Sequence, residues 1–305
     1  MRHLVTLSDV SAAEIARIFS ITEDLKSRFA EGLREPLLPG RVLALLFEKP
    51  SLRTRVSFES GMAHLGGSSI MLDENAGFGK RESVADFVRV LSEMVDVIVV
   101  RSRRHDTVVE FARHAACSVI NGLTDVAHPC QVLADLYTLQ ERCGPLAGVR
   151  LAWVGDGNNV ARSLVEGCGH LGVQLVLCTP PGYELDGQFL SEARRGFPQL
   201  DLITTPDPIE AVKGAAAVYT DVWASMGQEA ELKKRRRDFA DYQVNRKLMA
   251  KAPKDALFLH CLPAHRGDEV TDEVIDGPQS VVVPQAANRM HVQKGVLVWL
   301  LAAKA

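Results

Sequence analysis

Short apolar runs rich in β-branched residues alternate with amphipathic stretches along the whole chain. Val42-Leu43-Ala44-Leu45-Leu46-Phe47, Ser69-Ile70-Met71-Leu72, Asp96-Val97-Ile98-Val99-Val100 and Ser118-Val119-Ile120 each give way to a segment of helical period, such as residues 82–94. Runs this continuously apolar fit strands covered on both faces, so the pattern predicts a parallel sheet between layers of helix. A second series starts at Arg150-Leu151-Ala152-Trp153-Val154 and continues through residues 173–178, Leu202-Ile203, residues 216–219 and Leu257-Phe258-Leu259. Arg142-Cys143-Gly144-Pro145-Leu146-Ala147-Gly148 separates the two series and is the best linker in the chain. The expected fold is α/β: two doubly wound parallel-sheet domains, residues 1–145 and 146–305, with the active site in the cleft between them. A last helix over residues 286–303, starting after Pro284, is expected to return to the first domain.

Composition narrows the class. The chain has 305 residues, 47% of them hydrophobic, which is enough for two cores. A formal charge of −3 gives no electrostatic reason to expect nucleic acid or an anionic membrane as partner. Six cysteines are scattered without paired metal-ligand spacing, and no basic segment followed by an apolar core opens the chain. Free thiols and a cytoplasmic location are therefore expected. The apolar stretch at residues 296–303 is too short to span a bilayer.

Chemistry-bearing words recur where strands should end. Glu48-Lys49-Pro50 stops the first strand, and Ser51-Leu52-Arg53-Thr54-Arg55 then offers hydroxyls, guanidinium groups and backbone N–H groups at a helix start, a natural cradle for phosphate. A plain N-cap with solvated arginines would read the same way. His128-Pro129-Cys130-Gln131 opens another helix with an imidazole and an amide on its first turn, or merely caps it. Gly155-Asp156-Gly157-Asn158-Asn159 resembles a dinucleotide turn, but the third glycine is missing and the next strand ends in Cys178 rather than an acid. Asn159 is better read as a polar contact at the sheet's ligand edge.

Asp221, ahead of Ser225-Met226-Gly227, supplies a carboxylate suited to a substrate ammonium beside a glycine-hinged loop. The basic run Lys233-Lys234-Arg235-Arg236-Arg237 reads as a solvated helix face. His260-Cys261-Leu262-Pro263 places a thiol beside a histidine at a strand end, which in isolation also suits covalent catalysis.

Taken in order, these words resemble the aspartate/ornithine carbamoyltransferase family, and the last two resemble its ornithine branch. Asn288-Arg289-Met290-His291 extends the resemblance to the end of the chain. The resemblance implies transfer of the carbamoyl group of carbamoyl phosphate to the δ-amine of L-ornithine, in arginine biosynthesis or catabolism, by a homotrimer using no metal or cofactor. It implies that Ser51, Leu52, Arg53, Thr54, Arg101 and Arg289 bind the phosphate, and that His128, Pro129, Cys130 and Gln131 bind the carbamoyl group. Cys261 and Leu262 would lie beside the reacting amine, while Asn159, Asp221, Ser225 and Met226 would hold ornithine. The catalytic roles fall to Arg101, His128, Asp221 and Cys261, with Cys261 orienting rather than attacking.

One departure stands out. The family places a glutamine or histidine before the segment matching Gly79-Lys80-Arg81-Glu82-Ser83, where it reaches a neighbouring subunit; here that position is Gly77. Putrescine or an acylated ornithine as acceptor, and a non-catalytic binding protein of the same fold, remain as alternatives.

Overall fold

A computed structural model describes residues 1–72, 82–224 and 229–302. By internal contacts the chain forms two compact units. Met1–Leu133 and Asn288–Ala305 make the first, and Ala134–Ala287 the second. The division by contacts thus passes through two helices.

The first unit is built on four parallel strands, β1 (Val42–Phe47), β2 (Ser68–Leu72), β3 (Val97–Arg101) and β4 (Ser118–Leu123), in the order β2-β1-β3-β4. Its helices are α1 (Ala12–Ala30), α2 (Leu52–His64), α3 (Val84–Ser92) and α4 (His105–His114), followed by the start of α5 (Pro129–Cys143). Strands β1 and β3 are buried almost throughout, as continuous apolar runs require, whereas edge strand β2 is half exposed. The free edge of β4 is met by Leu4, which donates its N–H to Val119 O and accepts from Asn121 N–H.

The second unit holds β5 (Arg150–Val154), α6 (Asn159–Leu171), β6 (Gln174–Cys178), α7 (Gly187–Gly196), β7 (Leu202–Thr205), α8 (Pro208–Val212) and β8 (Ala217–Thr220). It continues with α9 (Leu232–Asp238), α10 (Arg246–Met249), β9 (Leu257–His260), α11 (Asp272–Ile275) and the first turns of α12 (Val282–Leu301). The five strands are parallel in the order β7-β6-β5-β8-β9.

In each sheet the chain reverses direction once, between β1 and β3 and between β5 and β8. At such a switch point the loops leaving two adjacent strands diverge and open a crevice at their carboxyl ends. The Ser51 loop and Arg101 flank the first, and Gly155–Asn158 and Asp221 the second.

The final helix begins at Val282, earlier than the expected start at 286. Pro284 lies inside its first turn, where a missing N–H costs nothing because no carbonyl precedes it in the helix. The basic run also departs from expectation. Arg235 is buried on α9 while Lys233, Lys234, Arg236 and Arg237 lie on its outer side, so one member of the run turns inward to an ion pair.

Candidate active site

The first unit gathers buried polar side chains at its switch point. Ser51 holds the N-cap position of α2 in extended backbone conformation, yet its hydroxyl makes no capping hydrogen bond. Leu52 points outward at 75% exposure, and Thr54 is buried. Arg53 lies between them on the first turn of α2. Arg101 ends β3 in register with Phe47, and its carbonyl accepts from Glu48 N–H at 2.9 Å. The Glu48 carboxylate in turn accepts from Ser102 Oγ (2.9 Å) and Arg103 N–H (2.7 Å), which fixes the turn after Arg101.

Arg289 on α12 forks between two of these elements. Its Nη2 donates to Thr54 Oγ1 at 2.8 Å and its Nη1 to Gln131 Oε1. His128 precedes α5, where its carbonyl accepts from Gln131 N–H and Val132 N–H at 3.2 Å. Burial, reinforced by the positive charges of Arg289 and Arg101, holds the His128 imidazole well below its usual pKa, so the ring is neutral at physiological pH. The same burial pushes the Cys130 thiol up to about 12, which leaves it unionised against Asn121 O. The group as built is a largely buried, cationic cluster with a neutral imidazole.

The second unit centres on Asp221, just past β8. Asn158 Nδ2 donates to its Oδ2 at 2.8 Å, and Cys261 Sγ donates to its Oδ1 at 3.0 Å. Asn158 also caps α6 through Oδ1, accepting from Val160 and Ala161 N–H. One asparagine thereby starts the helix and orients the carboxylate. Asn159, the residue singled out from the sequence, is the first residue of α6.

Gly157 is a glycine for a packing reason. A Cβ there would lie 2.6 Å from Tyr183 O, and its N–H donates to that carbonyl. Close passage of another backbone segment, rather than approach of a dinucleotide phosphate, explains the glycine-rich turn.

The loop after β9 is held through the His260 ring. Leu262 N–H donates to Nδ1 at 2.9 Å, so Nε2 carries the proton and donates to Glu269 Oε1 at 3.2 Å. Glu269 Oε1 also accepts from His265 N–H at 2.5 Å. This bracing supports Leu262 at φ 58°, a conformation uncommon outside glycine. Asp221, His260 and Cys261 offer donor atoms within 4.8 Å of one another, but both His260 nitrogens are engaged by protein, which suits orientation better than metal ligation.

Behind Asp221, Arg235 donates to Trp223 O (2.7 Å), pairs with Asp156 (3.0 Å) and reaches Glu231 (2.9 Å). Burial raises the Asp156 carboxyl to about 6 against the opposing pull of Arg235.

Residues 2–141 match the sequence model of the carbamoyl-P binding domain of aspartate/ornithine carbamoyltransferase, and residues 147–300 that of its Asp/Orn binding domain. The chain belongs to the aspartate/ornithine carbamoyltransferase family. Within that family it is 48% identical over 303 residues to the ornithine carbamoyltransferase of Carboxydothermus hydrogenoformans, covering 98% of this chain and 97% of that protein. Among solved structures it resembles the ornithine carbamoyltransferase of Pyrococcus furiosus with a TM-score of 0.96 at 46% identity, covering 100% of this chain and 98% of that one. The Thermus thermophilus ornithine carbamoyltransferase gives a TM-score of 0.89, also at 46% identity, covering 99% of each chain.

Two of the family's expected features, Ser225-Met226-Gly227 and the segment around Gly77, lie outside the described residues. Asn158, Glu269 and Arg235 were not singled out from the sequence. Asn158 had a legible signal, an N-cap residue directly before a helical run; the other two read as ordinary surface charges.

Proposed function

We propose that this protein transfers the carbamoyl group of carbamoyl phosphate to the δ-amine of L-ornithine, giving L-citrulline and phosphate. The observation that carries the reading is the Thr54–Arg289–Gln131 fork beside neutral His128, a set built for a phosphorylated carbonyl compound. In this scheme the phosphate rests on the α2 N-terminus against Ser51, the Leu52 N–H, Arg53 and Thr54, with Arg101 and Arg289 supplying charge. Neutral His128 donates to the carbonyl oxygen, and the backbone at Pro129 and Cys130 lines the carbamoyl group. Gln131 Oε1 keeps a second lone pair for the carbamoyl NH₂.

Ornithine's neutral δ-amine attacks the carbonyl carbon. A C–N bond forms, negative charge grows on the oxygen facing Arg101, Thr54 and His128, and the C–O bond to phosphate then breaks. Fixed donors aimed at that charge bind the transition state better than the substrate. The proton lost by the amine leaves on the phosphate. Asp221, with Asn159, Ser225 and Met226, takes the amino-acid end of ornithine, and Cys261 with Leu262 lines the path of the δ-amine. The contact of Cys261 Sγ with Asp221 Oδ1 favours an orienting role over a covalent one.

We further propose a cytoplasmic homotrimer acting in arginine metabolism. Six free thiols fit a reducing compartment, and no helix among the described residues is long and apolar enough to cross a membrane. Exposed Leu52, Val56, Ile70, Val90 and Met94 in the first unit favour self-association through that unit.

The test is citrulline formation with ornithine, putrescine, N-acetylornithine and aspartate compared at fixed carbamoyl phosphate. Ornithine should be preferred by orders of magnitude. Equal or greater turnover of putrescine or acetylornithine would reassign the acceptor, and no turnover of any would remove the enzymatic reading.

A further inference from the structure

Behind the turn that carries Cys261 lie three fully buried polar side chains that the reaction scheme does not use: Asp135, Tyr219 and Gln285. Tyr219 Oη donates to Asp135 Oδ2 at 2.9 Å, and Gln285 Nε2 donates to Asp135 Oδ1 at 2.6 Å. Gln285 Oε1 then accepts the backbone N–H of His260 at 3.0 Å. The chain of bonds therefore ends on the residue immediately before Cys261.

The position of β9 explains why a side chain is needed there. β9 is the last strand of its sheet, paired with β8 on one side only. Residues 279–281 cover the other side at Phe258, through Phe258 N–H to Gln279 O and Val281 N–H to Phe258 O. Past that point the edge has no strand neighbour among the described residues, and an unpaired buried N–H would cost on the order of 1–3 kcal/mol. The Gln285 amide oxygen supplies the missing acceptor.

The bonds also have a direction. A carboxylate only accepts, so Asp135 forces the NH₂ end of Gln285 toward itself and leaves the oxygen for His260. Turned over, the amide would face its NH₂ to another N–H. Burying a carboxylate costs far more than burying an apolar side chain of similar size, so packing alone does not account for Asp135.

We propose that Asp135 and Gln285 are positioning residues of the acceptor half-site: Asp135 orients the Gln285 amide, and Gln285 holds the end of β9 so that Cys261 stays on Asp221. The proposal rests on the reading of this half-site as the ornithine site. Titratable groups that face this network include Tyr219 from β8, Asp221 just beyond it, and His260 and Cys261 at the end of β9. Glu269 lies across the His260 ring.

Two variants of the 305-residue chain test it. Gln285→Glu keeps size and shape but places two carboxylates face to face. Such a pair retains one shared proton well above the ordinary carboxylate range. While it does, the protonated oxygen donates to Asp135 and the other accepts from His260, reproducing the original pattern. Once that proton leaves, repulsion must displace the turn.

The ornithine KM of Gln285→Glu should match the parent at about pH 6 and exceed it roughly tenfold near pH 9, about the worth of one hydrogen bond, with carbamoyl phosphate KM unchanged. Gln285→Leu should raise ornithine KM by a similar factor at every pH. Hydrogen exchange at the His260 amide, compared with the parent at the same pH, should be faster in Gln285→Leu throughout and in Gln285→Glu only at high pH. This readout needs no turnover. If the parent failed to carbamoylate ornithine, the functional reading would fall while the exchange data still judged the bond network. A parent-like pH profile in Gln285→Glu, or parent-like exchange and ornithine KM in Gln285→Leu, would overturn the proposal.

Discussion

Replacing Arg289 by lysine separates charge from geometry in the phosphate half-site. Arg289 is 3% exposed, and its guanidinium spans Thr54 Oγ1 and Gln131 Oε1 as a planar fork. An ammonium keeps the positive charge but cannot reach both acceptors in one fixed geometry. Thr54 can rotate its hydroxyl to another partner. Gln131 loses the donor that fixes its amide, in a site with little water to replace it.

The loss is one charge-assisted hydrogen bond, about 1.5–3 kcal/mol. If the fork is needed in the transition state, kcat/KM for carbamoyl phosphate falls by about 10- to 150-fold, at roughly 1.36 kcal/mol per decade. The assay is steady-state citrulline production with carbamoyl phosphate varied at saturating ornithine, alongside a thermal melt to show that the variant is folded. Gln131→Leu, made both in the parent and together with Arg289→Lys, completes a double-mutant cycle. Its cost should shrink when Arg289→Lys is already present, because the partner interaction is gone. A folded Arg289→Lys protein within about threefold of the parent, or strictly additive effects in the cycle, would refute the argument that the fork organises the site.

Other outcomes follow from the same geometry. Cys261→Ser should retain measurable turnover, and mass spectrometry during turnover should find no carbamoylated Cys261. Turnover should rise from neutral to mildly alkaline pH as ornithine's amine, with a lysine-like pKa of about 10.4, becomes more available in neutral form, and a flat profile would count against this. Burial, followed by Lys294, Lys26, His64 and Arg34, lowers His291 from 6.5 to about 3. Its stabilising effect is therefore complete above pH 6.5 and lost as pH falls toward the folded value. His291→Phe should lose roughly 2–3 kcal/mol less than the parent between about pH 7.5 and pH 4.5 in denaturant titrations, and equal losses would refute the assignment. Gly157→Ala should destabilise by about 1–3 kcal/mol, since its Cβ must displace the Tyr183 carbonyl, and an unchanged denaturation midpoint would contradict that.

The central strands were legible because they are mostly apolar runs, and β1 (Val42–Phe47) and β5 (Arg150–Val154) begin and end at the expected residues. The last helix was misjudged at its start because Pro284 reads as a boundary when it is part of a first turn. Ser51, Thr54, His128 and Gln131 stood out because they lie between a strand end and the first turn of the next helix, and the structure brings Thr54 and Gln131 together on Arg289. Asp135, Gln285 and Glu269 were not. Each is one more polar residue on a helix or loop, and only burial reveals that its bonds run to the site. Arg235 was hidden among four neighbours of the same charge. Asn158, in the same turn as Asn159, adds a contact to Asp221 that only its cap geometry reveals.

The first unit is discontinuous in the chain, being closed by residues from Asn288 onward. Synthesis therefore delivers the contiguous second unit, Ala134–Ala287, before the first can be completed. Until the last segment is made, α1 and α2 lack the helix that packs on them, where Gly295 meets Thr22 and Gly61 meets Lys294. The guanidinium that ties Thr54 to Gln131 arrives with that same segment. A nascent chain interrupted before Asn288 would carry Asn158, Asp221 and Cys261 but not Arg289. Binding of carbamoyl phosphate thus reports that translation has passed this segment, and premature termination ahead of it should yield aggregation-prone chains rather than weakly active enzyme.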